Sequence, residues 1–75
     1  MKYVYYTMAE KIRFVLRRRN MTLDALAKAT KQSRQNLSNK MSRDNFTEKE
    51  LLEIASALNC TYKAVLVFND TGDEI

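Results

Sequence analysis

Residues 22–42 read TLDALAKATKQSRQNLSNKMS, and this stretch decides the fold. Leu23, Leu26 and Ala27 fall at i, i+3 and i+4, and Leu37 and Met41 at i and i+4. Each half is therefore a short helix with one narrow apolar stripe, and Lys31-Gln32 marks the turn between them. The second helix has little else to bury. Opposite Leu37 and Met41 stand Gln35, Ser38, Asn39 and Ser42, with Arg34, Asn36 and Lys40 on the flanks. Nearly all of these side chains donate or accept hydrogen bonds, so this face is built to meet a polar surface.

Capping signals extend the pattern in both directions. Thr7-Met8-Ala9-Glu10 is a capping box that starts a first helix near Met8, with Met8, Ile12, Val15 and Leu16 on its buried face and an end near Asn20. Thr22 and Ser33 are N-caps for the two helices of the central stretch, and Met21 with Leu26 forms a hydrophobic staple. Thr47-Glu48-Lys49-Glu50 is a second capping box, with Phe46 and Leu51 as its staple. Leu51, Ile54, Ala55 and Leu58 then line the inner face of a helix running to about Leu58 or Asn59.

The two ends differ in character. Residues 2–6 (KYVYY) and 62–68 (YKAVLVF) are rich in aromatic and β-branched residues, and the second runs into Asn69-Asp-Thr-Gly72, a turn sequence with the only glycine. Strands are expected near 2–6 and 62–68, pairing with each other or across a dimer axis, because an isolated two-stranded ribbon is marginal. A fifth helix over 62–67, capped by Thr61, is the alternative. Residues 1–75 thus read as a single, mainly α domain of four or five helices, with short β-strands at the termini.

Composition narrows the function. A chain of 75 residues forms one small core, and domains of this size bury only about 60% of their unfolded surface. One Cys and no His supply neither a disulfide nor the ligand set of a structural zinc site, and the commonest general base is missing. No apolar run approaches the roughly 20 residues that span a bilayer, so a reduced, cytoplasmic protein is expected. Charge is polarised. Residues 1–43 hold eleven Lys/Arg against two acids, +9, whereas residues 44–75 hold two Lys against seven acids, −5. The basic half suits a polyanion, with the acidic half pointing away from it.

MTLDALAKATKQSRQNLSNKMS followed by FTEKELLEIASALNCTYKAVL resembles the helix-turn-helix domain of the phage repressor and Cro class and its bacterial XRE-type relatives. The resemblance covers about residues 8–66 and is carried by Leu26-Ala27, Leu37, and the ELLEIASALN helix with Cys60-Thr61 after it. In such a motif Ala27 is small because two helices cross closely there, and Leu26 and Leu37 fill the wedge between them. The resemblance implies that the second helix lies in the major groove of double-stranded DNA, with Arg34, Gln35, Asn36 and Asn39 at base edges. An Asn or Gln amide pairs bidentately with adenine and Arg with guanine, each good pair giving about 1–3 kcal/mol of discrimination. Phosphate contacts are expected from Thr22, Lys28, Lys31, Ser33, Ser38, Lys40 and Arg43. Arg17-Arg18-Arg19 fits a helix C-terminus and a DNA contact equally well.

Two residues depart from the family pattern. Lys31 stands where a glycine is usual, and a left-handed turn there costs a side-chain-bearing residue roughly 1–2 kcal/mol. Gln32 stands where an apolar residue is usual. Elsewhere the ordinary readings prevail: Cys60 as a small buried residue, Phe14 as a cover for the terminal strands, Tyr3, Tyr5 and Tyr6 as packing or dimer contacts, and Glu48, Glu50 and Glu53 as caps and solvent-facing charges. The expected function is a sequence-specific transcriptional regulator, a repressor or autoregulator acting as a homodimer without catalysis, metal, cofactor or small-molecule ligand. A protein-interaction module, such as a helix-turn-helix antitoxin or adaptor with secondary DNA binding, is the alternative.

Overall fold

The computed structural model describes residues 6–75, among which lie four helices: α1 (Met8–Arg18), α2 (Leu23–Ala29), α3 (Arg34–Arg43) and α4 (Glu48–Ala57). Each starts on a hydroxyl that accepts the N–H of the third helical residue. Thr7 takes Glu10 at 3.1 Å, Thr22 takes Ala25 at 3.1 Å, Ser33 takes Asn36 at 3.0 Å and Thr47 takes Glu50 at 3.2 Å. Glu10 and Glu50 reach back to the N–H of Thr7 and Thr47, both at 3.1 Å, completing the two capping boxes.

All four helices also end alike. A left-handed residue closes each, at φ 53° for Asn20, 56° for Lys31, 52° for Asp44 and 54° for Asn59. Paired backbone bonds close these turns: Met21 N–H to Leu16 C=O, Gln32 N–H to Ala27 C=O, Asn45 N–H to Lys40 C=O and Cys60 N–H to Ala55 C=O, all between 2.8 and 3.2 Å. This is the Schellman arrangement, which normally recruits glycine. Asn and Asp tolerate the conformation, whereas Lys31 does so at a cost.

The core comprises Ala9, Ile12 and Leu16 from α1, Leu26 and Ala27 from α2, Leu37 and Met41 from α3, and Ile54 and Leu58 from α4 and its end. Leu26 and Leu37, fully buried, fill the wedge where α2 packs on α3. Truncating either to Ala costs roughly 2–5 kcal/mol, a large part of the total stability of a small domain. Met8, Val15, Met21, Phe46 and Leu51 are only half-buried around this core.

The expected strand over 62–68 is not formed. Residues 2–5 lie outside the described residues, Tyr6 belongs to no strand, and 62–68 is neither a strand nor a fifth helix. Instead the tail folds on itself. Leu66 and Ile75 exchange backbone hydrogen bonds at 2.8 and 2.9 Å, Phe68 N–H donates to Asp73 C=O at 2.8 Å, and a single antiparallel bridge joins Val67 and Glu74. Gly72, at φ 79°, supplies the reversal, its N–H donating to Phe68 C=O at 2.7 Å. Closing a loop of a few residues costs far less chain entropy than reaching the distant N-terminus. Cys60 is also corrected: it is exposed, because the left-handed Asn59 turns the chain outward just before it.

Candidate nucleic-acid interface

Burial of Leu37 and Met41 turns the opposite face of α3 to solvent, and Arg34, Gln35, Asn36 and Asn39 are all exposed. Gln35 and Asn39 are joined. Gln35 Nε2 donates to Asn39 Oδ1 at 3.0 Å, which leaves Gln35 Oε1 as an acceptor and Asn39 Nδ2 as a donor. A donor beside an acceptor is what the major-groove edge of adenine complements, through its N7 and N6.

Asn36 is braced from the turn. Thr30 Oγ1 donates its one proton toward Leu26 C=O at 2.8 Å, so it must accept from Gln32 Nε2, also at 2.8 Å. Gln32 Oε1 then faces Asn36 and accepts from its Nδ2 at 2.9 Å. A backbone carbonyl, which can only accept, thereby fixes the polarity of the chain and leaves Asn36 Oδ1 free. Gln32 is half-buried, and its polar character in place of an apolar residue has this bracing as its consequence.

The expected phosphate contacts surround this face. Lys28, Lys31 and Arg43 are exposed, with Lys28 in an i,i+4 pair to Asp24 at 3.6 Å. Thr22 and Ser33 spend their oxygens on capping but keep a hydroxyl proton to donate. Ser38 is half-buried. Lys40 differs from the rest: its ammonium is held on the Glu50 carboxylate, which ties α3 to α4. Among the described residues no cluster of His, Cys, Asp or Glu could hold a metal ion.

Two long-range contacts that orient the site escaped the sequence reading. Asp44 Oδ1 accepts from the Ala9 N–H at 2.8 Å, satisfying an orphan donor in the first turn of α1. Arg19 donates from Nε to Leu58 C=O at 3.2 Å and from Nη2 to Asn59 C=O at 3.3 Å, capping α4. Arg19 is thus structural, while Arg17 and Arg18 remain exposed in the last turn of α1. Both contacts link residues 35 or more positions apart. The one local signal was an Asp just past the end of a helix, where a carboxylate is disfavoured by the helix dipole unless it has another use.

A family model described as the Cro/C1-type HTH DNA-binding domain matches residues 11–71. No curated protein and no solved structure matches the chain. The matched span contains α2, the Lys31-Gln32 turn, α3 and α4 entire.

Proposed function

The chain belongs to the Cro/C1-type helix-turn-helix DNA-binding family, and we propose that it is a sequence-specific regulator of transcription, a repressor or autoregulator that binds double-stranded DNA as a homodimer. The observation that carries this reading is the joined Gln35–Asn39 pair on an exposed helix face, with Arg34 and Asn36 beside it. In this reading α3 enters the major groove and Arg34, Gln35, Asn36 and Asn39 meet base edges. Thr22, Lys28, Lys31, Ser33, Ser38 and Arg43 hold the phosphates. Lys40, occupied by Glu50, serves to set α3 against α4 instead.

A homodimer would place two such helices about 34–36 Å apart, on half-sites centred about 10 base pairs from each other. The protein would act in the cytoplasm, without catalytic chemistry or a cofactor; no helix among the described residues is long and apolar enough to cross a membrane. Selection of bound sequences from a random duplex library tests the proposal. A palindrome with that spacing is expected, and failure to enrich any sequence would overturn specific recognition.

The exposed apolar hairpin at the C-terminus favours a second reading, an antitoxin or adaptor that uses its tail to hold a different protein. A purified chain that forms a stable dimer by burying that tail would count against it.

A further inference from the structure

The hairpin carries apolar surface out of proportion to its size. Val65, Leu66, Val67, Phe68 and Ile75 are exposed by between 50% (Phe68) and 77% (Leu66). A two-stranded hairpin without a packed face is marginal in water, so it is stabilised when something covers it. Its charge is acidic, with Asp70, Asp73 and Glu74 against Lys63 alone.

The complementary surface lies on α1. Tyr6 and Phe14, each 59% exposed, line a groove of about 230 Å³ together with Lys11, Arg13 and Arg17, against one acid, Glu10. Apolar residues ringed by acids on the hairpin therefore match aromatic residues ringed by cations on α1. We propose that the hairpin of each chain seats in the α1 groove of a second copy.

Charge disfavours one nearer alternative, and the other is not adopted. Hairpin against hairpin would bring the acids of two copies together, which is unfavourable. The chain's own hairpin does not fill the groove: Phe14 stays 59% and Leu66 77% exposed. Tyr62 lies beside Met8, Ile12 and Val15 in the furrow between α1 and α4, on a different side of α1 from Phe14. A contact made once, head to tail, would propagate; made reciprocally about a two-fold axis, it closes at two copies.

The inference rests on the homodimer reading above and supplies its contact surface. The experiment uses no DNA, so a chain that dimerises this way yet selects no sequence would separate the two. Sedimentation equilibrium is run on the full chain, on the double variant Asp73→Lys with Glu74→Lys, on the double variant Arg13→Glu with Arg17→Glu, and on their equimolar mixture. Circular dichroism checks that the helices persist. Each variant alone sets like charges face to face, and its dimer Kd should rise at least about tenfold over the parent. The mixture restores both contacts and should recover the parent's Kd. A parent that stays monomeric, a variant that dimerises as well as the parent, or a mixture that gives no rescue would each overturn the proposal. Phe14→Ser and Leu66→Ser, both at exposed positions, provide a second route: each should weaken the dimer, and an unchanged Kd in either would overturn it as well.

Discussion

The Asp44 carboxylate accepts a hydrogen bond from the backbone N–H of Ala9 at 2.8 Å, so the residue that ends α3 also caps the first turn of α1. One side chain ties together two helices that lie 35 residues apart at this contact. Asp44→Ala removes the cap and places a residue with less tolerance for left-handed backbone at φ 52°. The expected loss is about 1–2 kcal/mol, which in a domain of this size lowers Tm by about 4–8 °C per kcal/mol. Asp44→Asn keeps an acceptor oxygen and tolerates the conformation, so it should lose less; equal losses in thermal melts would deny the side chain its capping role.

Lys31 occupies left-handed backbone, and its side chain makes no hydrogen bond among the described residues to offset the strain. Lys31→Gly should raise stability by up to about 1 kcal/mol, the relief of strain exceeding the extra freedom of the unfolded chain. Lys31→Ala should not, because alanine retains the Cβ. Chemical denaturation of the three proteins checks the order. If Lys31 also touches a phosphate, both variants lower the salt slope of DNA binding by about 1.

Gln35 and Asn39 act as a unit through their 3.0 Å hydrogen bond. Gln35→Ala and Asn39→Ala should each change the preferred sequence, at a cost of about 1–3 kcal/mol on the parent's site. The double variant should lose less than the sum of the two, since either one breaks the shared arrangement. Lys28→Ala and Arg43→Ala should instead weaken binding evenly on all sequences. Binding titrations on specific and random duplexes distinguish the patterns, and an even loss from the first pair would contradict the assigned reading face.

Gln32 sets which atoms Asn36 shows. Gln32→Met, similar in volume but unable to hydrogen-bond, frees Asn36 to rotate. Sequence selection should then broaden at the base pair where Asn36→Ala also broadens it, while the fold loses no more than about 1.5 kcal/mol. Sharp selection at that pair in the Gln32→Met protein would show that the brace is dispensable.

Much of this architecture is local, and local features could be read directly. The four N-caps need only a hydroxyl before an apolar period, and Leu26, Ala27, Leu37 and Met41 announce their burial by spacing alone. Asp44–Ala9 and Arg19–Leu58 could not be read so, because each joins distant residues through backbone groups that every residue possesses. The tail was misjudged for a different reason. The Asn69–Gly72 turn was recognised, but Asp73 and Glu74 after it are both acidic and do not display the alternation that marks a returning strand. The exposed polar face of α3 was visible as a set of residue types, whereas its internal bonds depend on rotamers that sequence does not state.

The left-handed helix ends bear on how long the protein lasts. Proteolysis acts on the transiently opened form, whose population rises about tenfold for every 1.4 kcal/mol of stability withheld. Four helix terminations, at Asn20, Lys31, Asp44 and Asn59, each forgo the residue that would close them with least strain. A small domain built this way holds a larger opened population, and is cut faster by a protease, than the same chain with glycine at Lys31.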